Sequence, residues 1–427
     1  MKKHTALFTP FALCLISAFQ PFSLSALSAG GIAAGIDRSI IAGIDTVLCK
    51  TGARDIVTIE ASFPAGSYQN PEDNCSIATL TAAMLDQGAA TRDKYAIAAE
   101  LEAVGATLEF SAGNINVTIS GKCLTKDVPL LISLIAEQLR APAFDAEEFA
   151  KIKTQLTGAL QRSLENTDAR AARAFHGAIY APGHPNHRHS IEDTIKAINA
   201  ATPDDVKKFH AANYGPAQFT LVAVGDIDAQ TIKTAIAKNF ADWKKNTARP
   251  IPAPAAPAAP TAPILIQMPG KTSVSIVWGQ TTGLRYIDAD YHALATATAI
   301  LGEGFTGRLL ANVRDREGLT YGIAARISND THATGDFRIT ATFAPALLDQ
   351  GIASTRRQLE AWHDKGVTAE ELADRKSNLI GAYKVSLATT GGMASAILTT
   401  IERGQPLAAL DEYPAKIAAL TLADVNA

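Results

Sequence analysis

Cysteine is scarce in this 427-residue chain: Cys14, Cys49, Cys75 and Cys123 are the only four, and no pair stands in a Cys-x-x-Cys spacing. Without clustered spacing, a thiolate metal site or a dithiol redox motif has nothing to be built from. A long apolar run is missing too. The stretch from Ala6 to Phe19 falls short of the ~20 residues that a membrane-spanning helix needs. Nor is there an excess of charge of one sign: 39 Lys and Arg against 42 Asp and Glu leave a net charge of -3. That balance removes the electrostatic case for nucleic acid as a partner.

What is present is enough for a sizeable core. Hydrophobic residues make up 47% of the chain and charged residues 19%, a balance that at this length fits two or more domains. Lys2 and Lys3 ahead of the apolar run, with Ala26-Leu27-Ser28 behind it, read as a secretory signal peptide over 1–28. The expected location is a bacterial periplasm. An uncleaved anchor is the alternative, and the shortness of the run argues against it. Cys14 lies inside the run without the small residues that a lipoprotein site wants. Cleavage leaves Cys49, Cys75 and Cys123, of which an oxidising compartment permits one pair, left unassigned by the sequence.

From about Gly35, Asp45 to Leu48 and Asp55 to Phe63 read as strands. Ile77 to Gln87 and Lys94 to Val104 read as helices, and Thr107 to Phe110 with Asn114 to Ser120 as a hairpin. Helices are expected over Asp127 to Arg140, Ala146 to Glu165, Asp168 to Tyr180, Ile191 to Ile198 and Pro203 to Asn213, the last capped by Thr202. Phe219 to Val224 reads as a buried closing strand. A Pro/Ala-rich run then marks a semi-rigid linker over 244–263.

Beyond the linker the plan recurs. Met84-Leu85-Asp86-Gln87-Gly88 resembles Ile300-Leu301-Gly302-Glu303-Gly304, and Thr202-Pro203-Asp204-Asp205-Val206 resembles Thr421-Leu422-Ala423-Asp424-Val425, at nearly one offset. The expected fold class is therefore α+β: two homologous layered α/β halves, 35–243 and 264–427, each a mostly antiparallel sheet with helices packed on it. By that offset, the closing strand of the first half has no counterpart in the second. This points to trimming at the C-terminus or to an edge strand supplied from elsewhere.

Arg308 to Arg326 (RLLANVRDREGLTYGIAAR) reads as a helix, a glycine corner at Gly318 and a strand, bringing Arg314 and Tyr321 together across the corner. A guanidinium and a phenol in that arrangement suit a peptide carbonyl or carboxylate. The ordinary reading is a surface arginine paired with Asp315 or Glu317 and a half-buried strand tyrosine. The run RLLANVRDREGLTYGI, led in by YHALATATAILGEGFTG, resembles the C-terminal-half signature of the insulinase-like (pitrilysin, inverzincin) zinc peptidases. That resemblance implies a metallopeptidase-like duplicated fold, in which this Arg and Tyr hold the substrate backbone and help polarise the scissile carbonyl.

The family's zinc motif, His-x-x-Glu-His on a helix, directly precedes a Met-Leu-x-x-Gly run. In the register set by Met84 to Gly88, Thr79, Ala82 and Ala83 stand in the His, Glu and His positions. Where the family has its third ligand stand Ala159, Leu160 and Gln161, with Glu165 just over one turn late. No metal ligand is therefore expected in this chain, and zinc is expected in a partner. His184, His187 and His189 form the other histidine cluster, read as a variable surface loop in preference to a metal site.

The resemblance thus implies the non-catalytic subunit of a two-chain peptidase, with Arg314 and Tyr321 as the site residues. Its partners would be a zinc-bearing homologous subunit, as a heterodimer or larger assembly, and a peptide or unfolded polypeptide substrate. The alternatives are a structural or binding pseudo-peptidase, and an autonomous peptidase with unrecognised ligands.

Overall fold

The computed structural model describes residues 31–244, 246, 250 and 262–427. The signal-peptide expectation over 1–28 and most of the linker at 244–263 lie outside these described residues. The first half comprises α1 (Gly31–Ala34), β1 (Ile36–Ile41), β2 (Ile44–Lys50), β3 (Ile56–Phe63), α2 (Ile77–Ala83), α3 (Lys94–Ala103), β4 (Thr107–Ala112) and β5 (Val117–Leu124). It continues with α4 (Val128–Arg140), α5 (Ala146–Leu164), α6 (Thr167–Ile179), α7 (Ile191–Ala200), α8 (Pro203–Asn213), β6 (Thr220–Gly225) and α9 (Ala229–Asn239). The second half holds β7 (Val274–Thr281), α10 (Tyr291–Gly302), β8 (Thr320–Ser328), β9 (Asp336–Phe343), α11 (Leu348–Lys365), α12 (Ala369–Ser386), α13 (Thr390–Glu402), α14 (Ala409–Ala419) and α15 (Leu422–Asn426). No helix among the described residues is long and apolar enough to cross a membrane.

The first sheet has the strand order β1-β2-β6-β3-β5-β4, with β2 and β6 parallel and the other pairs antiparallel. The second has the order β7-β9-β8, antiparallel throughout. This is the duplicated, layered α+β fold that the repeat predicts. β3 is flanked by β5 and β6, whereas its counterpart β7 pairs only with β9 among the described residues. Both copies of the repeated motifs are structural. Gly88 and Gly304, just past α2 and α10, have φ of +117° and +69°. α8 and α15 each open on a capping box, Thr202 with Asp205 and Thr421 with Asp424.

Burial patterns follow from the layering. β5 alternates, with Val117, Ile119 and Cys123 turned inward and its other side chains out to solvent, as a sheet covered on one face requires. All six residues of β6 are buried, because this central strand is covered on both faces. One cover is the first half's own core, where Phe63 packs on Tyr214 and Phe219 with ring centroids 5.0 and 5.4 Å apart. The other is α13, from the second half, whose Met393, Ala394, Ile397 and Leu398 meet Val47, Val222 and Val224. The loan is reciprocal. α6 lies on β7, with Phe175, Ile179 and Tyr180 packed against Val277. Each half therefore buries a helix that the other supplies, and neither core is complete alone.

Polar contacts fasten the same interface. Glu402 Oε1 accepts from Ser62 Oγ (2.6 Å) and Asn116 Nδ2 (2.7 Å), and Thr58 meets Thr390 at 2.8 Å. On the other side Asp336, with no exposed surface, accepts from Tyr180 Oη (2.9 Å), Asn329 Nδ2 (2.7 Å) and Arg338 Nη1 (2.6 Å). The three cysteines of the described chain are all free thiols. Burial raises the pKa of Cys49 and pushes Cys123 up to about 12, so neither is primed as a nucleophile.

Candidate functional site

α10 delivers the chain to the Arg/Tyr corner. It packs on β8 so closely that a Cβ on Gly302 would stand 2.3 Å from the Ala325 backbone nitrogen. The helix expected next is wider than an α-helix: residues 310–316 wind as a π-helical segment, in which Glu317 N–H donates to the Asn312 carbonyl at 3.0 Å. Gly318, at φ +64°, ends it in the left-handed conformation that its sequence position predicts, and Leu319 N–H reaches back to the Val313 carbonyl at 2.9 Å. The strand that follows is irregular at the residue that matters. Its register against β9 shifts between Thr320 and Gly322, which makes Tyr321 the extra residue of a β-bulge.

Thr320 secures that bulge: its Oγ1 donates to the Thr342 carbonyl (2.6 Å) and accepts from Gly322 N–H (3.1 Å). Thr320→Val should leave these backbone groups poorly matched and cost about 1–2 kcal/mol, measurable by denaturant unfolding. The result of the geometry is an outward display. Tyr321 is 88% exposed, and its hydroxyl makes no hydrogen bond among the described residues. Arg314 Cζ stands 5.3 Å from the Tyr321 ring centroid and 5.9 Å from that of Phe305, which is itself 78% exposed. The guanidinium thus lies between two rings, close enough for cation–π attraction.

Arg314 does have the neighbour that the ordinary reading gives it, Asp315 at 3.8 Å, but Tyr321 is not the half-buried strand residue of that reading. Glu317 pairs instead with Arg357 at 3.0 Å and accepts from Ser354 Oγ at 2.8 Å. Sequence reasoning missed Phe305. Its signal was an aromatic residue in the otherwise small and polar stretch GEGFTG, where no core position calls for one.

Arg308 anchors the start of the corner. Its fork makes two 2.6 Å hydrogen bonds to the Glu371 carboxylate, and its Nη2 donates to the Gly366 carbonyl at 3.0 Å. Glu371 also closes the capping box of α12 with Thr368. The Arg308 hydrogen bonds hold the Glu371 carboxyl down at about 2, below its ordinary 4.5. Because the folded value is the lower one, its contribution is fully present above about 4.5 and is lost as pH falls toward 2. Glu371→Gln should flatten acid unfolding in that window and cost about 1–2 kcal/mol at neutral pH, read from urea midpoints.

The residues in the zinc register offer no donors. On α2, Thr79 and Ala83 share a half-buried face and Ala82 is buried, so the face presents one hydroxyl and methyl groups. Zinc is held by imidazole, thiolate or carboxylate, and this face does not fit it. Glu165 is engaged elsewhere, paired with Lys271 of the second half at 2.7 Å. Among the described residues, no three His, Cys, Asp or Glu side chains gather as a metal site.

The histidine run packs as a loop. The His184 ring stacks on Tyr180 at 4.5 Å, and His187 Nδ1 bonds the Tyr180 carbonyl at 2.8 Å. Between them Asn186 donates to the carbonyls of Asn329 (2.9 Å) and Thr334 (3.2 Å), docking the loop on the second half. Burial lowers the pKa of His184 and His189, which keeps the rings neutral.

Comparison with known proteins agrees with this architecture. The family model described as insulinase (peptidase family M16) matches residues 46–190, and that of the peptidase M16 inactive domain matches residues 200–379. The chain is 23% identical over 357 residues to an uncharacterized zinc protease of Streptomyces coelicolor, covering 81% of this chain and 75% of that protein. It is 22% identical over 377 residues to the non-peptidase homologue YmxG of Helicobacter pylori, covering 86% and 84%. The crystal structure of a peptidase M16 inactive domain from Pseudomonas fluorescens superposes with a TM-score of 0.82 at 25% identity, covering 92% of this chain and 93% of that one. The two family models together take in most of the chain, and it belongs to the insulinase-like M16 peptidase family.

Proposed function

We propose that this chain is the non-catalytic subunit of a two-chain insulinase-like metallopeptidase, supplying Arg314 and Tyr321 at the zinc site of a homologous partner. The observation that carries this reading is the Tyr321 hydroxyl, unbonded among the described residues and held outward by a bulge beside a guanidinium, in a chain whose α2 offers no metal donors. A phenol there donates to the oxyanion that forms when water adds to a peptide carbonyl, and Arg314 holds a neighbouring substrate carbonyl or carboxylate. Zinc, water activation and the general base belong to the partner. The edge strand β4 offers its free main-chain groups for pairing with an extended peptide or unfolded polypeptide. The signal-like N-terminal sequence supports a periplasmic location for the proposed assembly.

The experiment is to purify the chain alone and with a co-expressed zinc-bearing homologue, then measure zinc content, association and peptide cleavage in each. Cleavage only in the mixture, with zinc in the partner, is the expected result. Stoichiometric zinc and turnover in the isolated chain would make it an autonomous peptidase. A stable mixture whose cleavage is indifferent to Arg314 and Tyr321 would leave it a binding pseudo-peptidase.

A further inference from the structure

Residues 303–307 turn the chain from α10 toward the π-helical segment and carry Phe305 at their centre. Gly304 stands at φ +69°, and Gly307 N–H donates to the Gly304 carbonyl at 3.3 Å. A Cβ on Gly307 would come within 3.0 Å of the Glu303 backbone nitrogen. The turn is pinned by Arg375 of α12, whose side chain is only 7% exposed. Its Nη2 donates to the Glu303 carbonyl at 2.9 Å and to Thr306 Oγ1 at 3.4 Å, gripping the chain on both sides of Phe305. Phe305 is therefore held out to solvent by a fixed turn, as Tyr321 is held out by its bulge.

A single exposed aromatic residue is ordinary. Here two of them, 78% and 88% exposed, stand with their ring centroids 5.9 and 5.3 Å from one guanidinium, that of Arg314. The three groups divide the work of holding a peptide. The N–H groups of Arg314 and the Tyr321 hydroxyl are donors for substrate oxygen. Phe305 has no polar side-chain atom and can hold neither a carbonyl nor a charge. What it offers is an aromatic surface, against which an aliphatic or aromatic side chain packs with loss of water from both. Consecutive Cα atoms of a peptide are about 3.8 Å apart, so a residue whose carbonyl is held by Arg314 brings its own or an adjacent side chain to that ring.

We propose that Phe305 is a specificity-determining residue, which with the ring of Tyr321 takes a large aliphatic or aromatic side chain of the substrate beside the carbonyl that Arg314 holds. The inference rests on the reading of Arg314 and Tyr321 as the pair that holds substrate, and adds the class of peptide that they accept.

The test is fluorescence anisotropy of labelled peptides binding to the full chain without a partner, the peptides identical but for Phe, Leu or Ala at one central position. The Phe and Leu peptides should bind about tenfold more tightly than the Ala peptide, and in Phe305→Ala the difference should collapse to within about twofold. Phe305→Leu, which keeps an apolar surface, should retain most of the preference for the Leu peptide. The Tm of Phe305→Ala should match that of the parent, because the side chain is exposed. Equal binding of all the peptides by the parent would overturn the proposal, and so would a preference that survives in Phe305→Ala. Tyr321→Phe separates the inference from the reading it rests on. That variant keeps the ring and should keep the preference, whereas cleavage in the mixture with a zinc-bearing homologue should fall. A preference that depends on Phe305 while cleavage ignores Tyr321 would uphold Phe305 and remove the hydroxyl from the chemistry. Cleavage that depends on Tyr321 without any preference would do the reverse.

Discussion

On the proposed function, Tyr321→Phe is expected to slow peptide cleavage by the mixture of this chain with a zinc-bearing homologue by about a hundredfold, the usual loss when one oxyanion donor is removed. The fall should appear in kcat and kcat/KM alike, because the hydroxyl acts on charge that exists only in the transition state. Folding should not change, since the ring remains beside Arg314 and the hydroxyl has no partner to lose among the described residues. Arg314→Lys should act differently. A lysine keeps the charge but gives up the planar fork that lies between Phe305 and Tyr321, so the substrate is held less well and KM rises. Steady-state kinetics of the complex, with this chain varied and the zinc subunit constant, decides the matter. Turnover within twofold of the parent in Tyr321→Phe would remove the hydroxyl from the chemistry and leave the corner a binding surface.

The largest loss of stability is expected at Asp336. Its carboxylate is fully buried and joins β9 to Tyr180 of the first half, to Asn329 and to Arg338, whose Nη1 also lies 2.8 Å from His176 Nε2. Asp336→Ala would leave the half-buried Arg338 charge unbalanced and two donors without acceptors, at a cost of about 3 kcal/mol. Tyr180→Phe removes a single hydrogen bond and should cost about 1 kcal/mol. Urea unfolding measures both, and hydrogen exchange across β8 and β9 should report the loosening locally. If Asp336→Ala lowers stability by less than about 1 kcal/mol, the Asp336 network adds little to the join between the halves.

Much of the first half was legible in the sequence because its signals are local. α8 begins where Thr202 and Pro203 indicate, and β5 shows the alternation that a half-covered strand must have. β1 was not foreseen, for a physical reason: its hairpin turns through Ala42 at φ +50° and Gly43 at φ +84°, and alanine is not a residue that advertises a left-handed turn. The π-helical segment before Gly318 was read as ordinary helix, since the apolar spacing of Leu309, Leu310 and Val313 serves either winding.

By itself, the sequence determined that the chain is duplicated, that α2 carries no metal donors, and that a corner at Gly318 joins Arg314 to Tyr321. These are matters of residue identity and of spacing within a few turns of chain. Only the tertiary structure decided that Tyr321 stands outward on a bulge and that Phe305 lies against Arg314. It alone joined Asp336 to Tyr180 across 156 positions and Glu402 to Ser62 across 340. Such pairs leave no periodic trace in the sequence, because what brings them together is the exchange of helices between the halves.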